Sequence, residues 1–175
     1  MNLTEFRRQW REAERLHKKE VIRGVVTILL AAAAAVLLFQ FVIGIAVVRG
    51  DSMLPGLRDG AVVLYLRPAA IHEGDIVVLH DEDEKSMVIK RVVGVAGDQV
   101  QVDRYGRCMR NGSELIEPYA QYAETPTGQE AQGTIETGKV FVMGDNRAQS
   151  VDSRVHGSVA EDKIVGKVIT LFEVI

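Results

Sequence analysis

The sequence has one cysteine, Cys108, in 175 residues. A single thiol closes no internal disulfide, so any fold here must be held by its apolar core. Nucleophilic cysteine chemistry has thin support as well. Cys108 lies in Tyr105-Gly106-Arg107-Cys108-Met109, beside an Asn-Gly turn, a setting that suits a strand residue. No His-Glu-x-x-His and no paired-cysteine spacing occurs, which leaves a zinc site without a ligand pattern. Residues 49–175 show no convincing amphipathic helix, and that steers the fold class away from helical bundles. Charge is missing altogether from Gly24 to Val48.

That uncharged run is rich in Leu, Val, Ile and Ala, and its clearly polar members are Thr27 and Gln40. As a helix it would extend about 37 Å, enough for a hydrocarbon core about 30 Å thick with some tilt. It exceeds the usual apolar length of a cleavable signal, and a polar stretch precedes it, so an uncleaved signal anchor is expected. Residues 1–23 carry seven Lys/Arg against four Glu, a net of +3, while the rest of the chain carries fourteen against twenty, a net of −6. The basic flank predicts a cytoplasmic tail (1–23), a membrane span (24–48) and an outward-facing domain (49–175). Thr4 to Glu20 fits a short helix with Phe6, Trp10, Ala13 and His17 on one face, either lying in the interface or forming a solvated basic tail. Its interleaved Glu residues argue against a nucleic-acid surface.

Beyond Pro55, turn signals alternate with β-branched runs. Ala61–Leu66, Ile76–His80, Met87–Val95, a strand starting at Val100 and Val102, Val140–Met143 and Ile164–Ile175 read as strands, with a hairpin at Asn111-Gly112. The expected architecture is mostly β, a curled or barrel-like sheet. Residues 103–138 are polar, with Pro118 and Pro126, and suit a small subdomain inserted between core strands. The acidic run Asp81-Glu82-Asp83-Glu84 suits a solvated hairpin tip rather than a calcium loop, whose ligand spacing is absent.

Gly50-Asp51-Ser52-Met53-Leu54-Pro55 follows the span at once, so an extended chain would hold Ser52 about 13 Å from Val48. A serine hydroxyl attacks only after a base takes its proton. The available bases are the histidines His72, His80 and His156, none in a recognisable triad setting, and Lys90. In Met87-Val88-Ile89-Lys90-Arg91-Val92-Val93, strand alternation puts Val88, Lys90 and Val92 on one face. A lysine buried there loses part of the preference for its ammonium form; one at an edge would snorkel to water instead. The polar stretch from Met143 to Gly157 holds Ser150 or Ser153 to orient an amine, and Asp152 to pair with Arg154 or Arg91. It suits a structural turn network equally well.

Taken in order, several segments resemble the bacterial type I signal peptidases, membrane-anchored serine proteases of exported preproteins. They are the anchor, Gly-Asp-Ser-Met-x-Pro-x-Leu (50–57), Glu-Gly-Asp-Ile-Val-Val (73–78), Ile-Lys-Arg-Val-Val-Gly-x-x-Gly-Asp (89–98), Asn-Gly…Glu-Pro-Tyr (111–119) and Gly-Asp-Asn-Arg-x-x-Ser-x-Asp-Ser-Arg (144–154). The resemblance implies a signal-peptidase-like curled antiparallel sheet behind a transmembrane helix. It implies Ser52 as nucleophile and Lys90 as general base, with Ser150 holding the amine. Asp152 and Arg154 would support the loop with Gly144 and Asp145, Arg91 would build the site from the opposite face of its strand, and Met53 would shape the substrate side. The Ser52 amide would contribute to an oxyanion hole.

The chain departs from the family pattern at Gly50, where some members carry a serine that helps stabilise the oxyanion. It departs again at Gly56, at Ala148-Gln149 and at His156. The resemblance further implies preproteins as substrates, held in the same bilayer and cut after small residues at −1 and −3. It implies no cofactor, no metal and no nucleic acid, and a bacterial cell membrane location with the N-terminus cytoplasmic. The alternatives are an inactive membrane-anchored β-domain binding module and a self-cleaving repressor-type protease, the latter disfavoured by the span.

Overall fold

The computed structural model describes residues 2–67, 69–81 and 86–172. The chain divides into two units, Met1–Phe41 and Val42–Ile175. The first is a single helix, α1 (Leu3–Phe41), of 39 residues. No proline falls inside it, and its Leu, Ala, Glu and Arg content favours helix. Glu14–Phe41 is long and apolar enough to cross a membrane. The short helix expected over Thr4–Glu20 is therefore the first part of α1, continuous with the apolar run.

The span expected over 24–48 is corrected at its end. The helix stops at Phe41, and Ile43–Val47 form strand β1 of the second unit. Val42-Ile43-Gly44-Ile45-Ala46-Val47-Val48 is as apolar as a membrane helix, but its β-branched residues favour a strand. Gly44 faces Tyr65 in the β1–β2 register, and a Cβ there would overlap the tyrosine ring. Ser52 thus follows the helix by eleven residues, not by four.

The second unit is a mostly-β, curled antiparallel half-barrel. Its main sheet runs β1, β2 (Val62–Leu66), β11 (Ile164–Phe172), β3 (Ile76–Asp81), β4 (Ser86–Val95), β9 (Lys139–Met143), β10 (Val159–Ala160), with every neighbour antiparallel. A four-stranded sheet between β4 and β9 in sequence runs β7 (Ser113–Glu114), β6 (Cys108–Arg110), β5 (Gln99–Val102), β8 (Ala131–Thr134). It begins at β5, so the strand read above as starting at Val100 and Val102 belongs to the smaller sheet. Asn111 and Gly112 both take positive φ, 53° and 80°, between β6 and β7, as a two-residue hairpin of this hand requires. The acidic tip lies outside the described residues from Glu82 onward.

Alternation in β3 and β4 gives the main sheet two apolar faces. Val78 and Ile89 join Met53, Leu57, Val63 and Tyr65 in one cluster; Val77, Leu79, Val92, Val140 and Val142 form another, with Val88 against it. A third cluster, including Val93, Val100, Val102, Cys108, Phe141 and Met143, joins the smaller sheet to the larger.

Candidate active site

Ser52 sits in the connection between β1 and β2. That loop is closed by Val48 N–H donating to the Ala61 carbonyl at 2.8 Å and Gly60 N–H to Val48 at 3.0 Å. Gly50 takes φ +74°, and its N–H reaches Asp59 Oδ1 at 2.8 Å. The positive φ is the conformation glycine adopts at least cost, which accounts for Gly50 in place of a serine. Met53 and Leu57 are buried in the core on either side of Pro55 and pin the loop down. Ser52 is left half-buried, and its own N–H donates to no acceptor among the described residues.

Lys90 comes from the half of β4 that pairs only with β3, since β9 joins β4 from Arg91 onward. It is 6% exposed. Its Nζ lies 3.1 Å from Ser52 Oγ, within hydrogen-bonding distance. The Ser52 hydroxyl is thus paired with an amine and not with an imidazole. His72 lies 3.8 Å from Asp75 on the surface instead. A cleft of about 690 Å³ opens beside the pair, lined by Ser52, Lys90, Met53, Val48, Val78 and Ile89 among others. Met53 accordingly both anchors the loop and faces the cleft.

The loop after β9 supplies the frame. Asn146 N–H donates to the Ser52 carbonyl at 3.0 Å and its Nδ2 to the Asp51 carbonyl at 3.1 Å. Gly144 runs so close beneath that a Cβ would overlap the Ser150 side chain and the Ser52 carbonyl oxygen. Arg91 grips Asp145 in a two-point pair of 2.8 and 2.7 Å, donates to the Gly74 carbonyl, and stacks 3.9 Å from the Tyr119 ring centre. Asp152 accepts from Arg154 Nε and Nη2, both at 2.9 Å, and from Gly144 N–H at 2.9 Å. Arg154 in turn donates to the Arg147 and Ser150 carbonyls. Burial alone would raise the Asp152 carboxyl. The Arg154 hydrogen bonds and charge, with the Gly144 N–H, outweigh it and hold Asp152 below the usual carboxylate range.

Ser150 behaves differently from expectation. Its hydroxyl is buried but makes no hydrogen bond, neither to Lys90 nor to another group; it approaches Asp152 without completing one. Three further residues of the frame had no role assigned from sequence: Asn146, Arg147 and Glu117. Arg147 is fully buried, donates from Nε to the Gly144 carbonyl at 3.0 Å and from Nη1 to the Gly106 carbonyl, and is paired with Glu117 of the inserted segment. The signal was there in the Asn-Arg of the 144–154 box and the Glu-Pro-Tyr of 117–119, but nothing in a linear reading pairs them. Cys108 is buried beside this network. Burial, with Glu117 nearby, pushes its thiol up to about 12, which suits a core residue and not a nucleophile.

A half-barrel that holds a serine against a buried lysine beside an open cleft has the form of a serine endopeptidase. Residues 21–172 match the family described as signal peptidase, peptidase S26. The chain belongs to that family, the bacterial type I signal peptidases, and has signal peptidase I activity. It is similar to signal peptidase IB of Staphylococcus aureus (strain COL), 31% identical over 171 residues, covering 86% of this chain and 88% of that one. It is 34% identical over 152 residues to signal peptidase I T of Bacillus subtilis (strain 168), covering 79% and 78%. A crystal structure of a signal peptidase I from Enterococcus faecalis V583 superposes with a TM-score of 0.50 at 26% identity, covering 58% of this chain and 98% of that one. The resemblance, fold and activity expected from the sequence are borne out.

Proposed function

We propose that Ser52 is the nucleophile and Lys90 the general base of this signal peptidase. The observation that carries the reading is the 3.1 Å approach of Lys90 Nζ to Ser52 Oγ with the amine buried. With the amine neutral, the Ser52 hydroxyl donates to its lone pair. Oγ then attacks the scissile carbonyl carbon and its proton passes to Nζ. The C–N bond breaks as the Lys90 ammonium returns that proton to the leaving amine, leaving an acyl-enzyme. A water molecule deprotonated by Lys90 attacks the ester and frees Ser52.

The unengaged Ser52 N–H serves the oxyanion. Gly50 has no hydroxyl to add, and its N–H is held by Asp59. Small residues at −1 and −3 enter the cleft lined by Met53, Val48, Val78 and Ile89, where a larger side chain would displace the scissile carbonyl. Gly144, Asp145, Asp152, Arg91 and Arg154 hold the loop that carries Ser150 and braces the Ser52 backbone. The substrates are preproteins anchored in the same bilayer. α1 is the single-pass anchor in the bacterial cell membrane, and its basic N-terminal part keeps that end cytoplasmic and the half-barrel outside. Shared anchoring raises the effective concentration, so modest peptide affinity suffices.

The test is incubation of the full-length protein in liposomes with a preprotein carrying Ala-x-Ala before its mature end. Ser52→Ala and Lys90→Ala should each abolish cleavage while the β circular dichroism signal is retained. Turnover at the wild-type rate by either variant would sink the assignment.

A further inference from the structure

Two cavities meet at Lys90. The cleft already described contains Ser52 and lies against Val78 and Ile89. A second, of about 400 Å³, is lined by Lys90 with Leu79, Val88, Val142 and Val151, and Ser52 is not part of it. The two share Lys90, Val88 and His80 and diverge from there, the first along Val78 and Ile89 of one apolar cluster, the second along Leu79 and Val142 of the other. Lys139 and Lys163 also line the second cavity, with His80 and His156. Lys139 pairs with Glu136, whose side chain is largely exposed. Asp152, the carboxylate in the lining, is already committed to Arg154.

We propose that this second cavity receives the first residues of the mature chain, just beyond the scissile bond, and that Lys139 and Lys163 make it favour an acidic side chain there. The inference rests on the assignment of Ser52 and Lys90. The acyl half of the substrate must place its carbonyl on Ser52, whereas the departing amine collects its proton from Lys90. A cavity that contains Lys90 without Ser52 therefore lies on the leaving-group side. Side-chain alternation agrees. In an extended peptide the residues on either side of a bond project to opposite faces. A small residue at −1 that enters the first cleft sends the +1 side chain toward the second. Two lysines in that lining attract a carboxylate and repel a substrate lysine.

The experiment uses the full-length protein in zwitterionic detergent and a preprotein series with Ala, Glu or Lys at +1 and at +2. Glu should exceed Lys in kcat/KM by about fivefold at one of the two positions, the size of one partly screened ion pair. The double variant Lys139→Glu/Lys163→Glu should invert the order, and Lys139→Gln/Lys163→Gln should level it. Equal rates for Glu and Lys in the wild type, or an unchanged preference in the charge-reversed variant, would overturn the inference. Cleavage that persists in Ser52→Ala would instead overturn the assignment beneath it, and the inference with it.

Discussion

Glu117 and Arg147 meet in a two-point ion pair, Nη1 to Oε2 at 2.9 Å and Nη2 to Oε1 at 2.6 Å, with each side chain 1% exposed. Two tyrosines that follow Glu117 in the chain donate their hydroxyls to the same carboxylate, Tyr119 at 3.0 Å and Tyr122 at 3.4 Å. One end of the pair belongs to the inserted segment and the other to the loop beneath Ser52. Glu117→Ala would leave the Arg147 charge buried without its partner, a loss of about 3–5 kcal/mol. A guanidinium unfolding curve of the detergent-solubilised full chain should show the midpoint falling accordingly. Glu117→Met/Arg147→Met, which removes both charges, should recover much of the loss; equal damage in the single and double variants would contradict the account.

Gly144→Ala puts a methyl group into the Ser150 side chain and the Ser52 carbonyl oxygen. Neither neighbour is the free end of a flexible side chain, so the loop itself has to shift. A displacement of about 1 Å at a reacting centre costs on the order of a hundredfold in rate. The expected result is a drop of that size in kcat with a folded β spectrum. Gly133→Ala, where an added Cβ meets nothing within 4 Å, should leave the rate alone.

Lys90→Arg keeps a positive charge and a long side chain but removes the base, because a guanidinium does not deprotonate in a protein. The variant should be inactive from acid to alkaline pH. In the wild type, kcat/KM should climb as pH rises and the Lys90 amine sheds its proton. A flat profile, or a Lys90→Arg enzyme with measurable turnover, would mean that another group takes the Ser52 proton.

Asp152 sets an acid limit on stability. Its carboxyl is lowered in the folded protein, so the folded state binds fewer protons than the unfolded chain near the ordinary carboxylate value. The stabilisation is fully present above about pH 4 and is lost as pH falls through the lower folded value. Thermal melts between pH 6 and pH 2.5 should show the wild type losing Tm at the acid end. Asp152→Asn should start lower and lose less over the same interval.

The local layout of the candidate site was legible in the sequence because short-range rules carry it. Strand alternation put Lys90 on the face of Val88 and Val92, and the Gly-Asp-Ser-Met-x-Pro box marked Ser52. What escaped was pairing at long range. Nothing at position 117 points to position 147, and Arg91 was offered Asp152 when its partner is Asp145. Ser150, assigned from resemblance to the Lys90 amine, makes no such bond. The boundary error at 42–48 has a simpler cause. Apolar composition is shared by a membrane helix and by a strand edged with apolar residues, and what separates the two here is β-branching together with pairing to a distant strand, where Gly44 lies against Tyr65.

The unbroken run of α1 from Leu3 to Phe41 has a mechanical consequence. A helix of that length measures about 58 Å, roughly twice the thickness of a hydrocarbon core. With no proline to kink it, the surplus stands as a stiff stalk continuous with the membrane-crossing part. A probe attached near Arg7 would lie about 25 Å along the axis from Gly24. Any tilt of the helix within the lipid would be magnified at that end, so the stalk acts as a pointer to the angle at which the helix itself crosses the lipid.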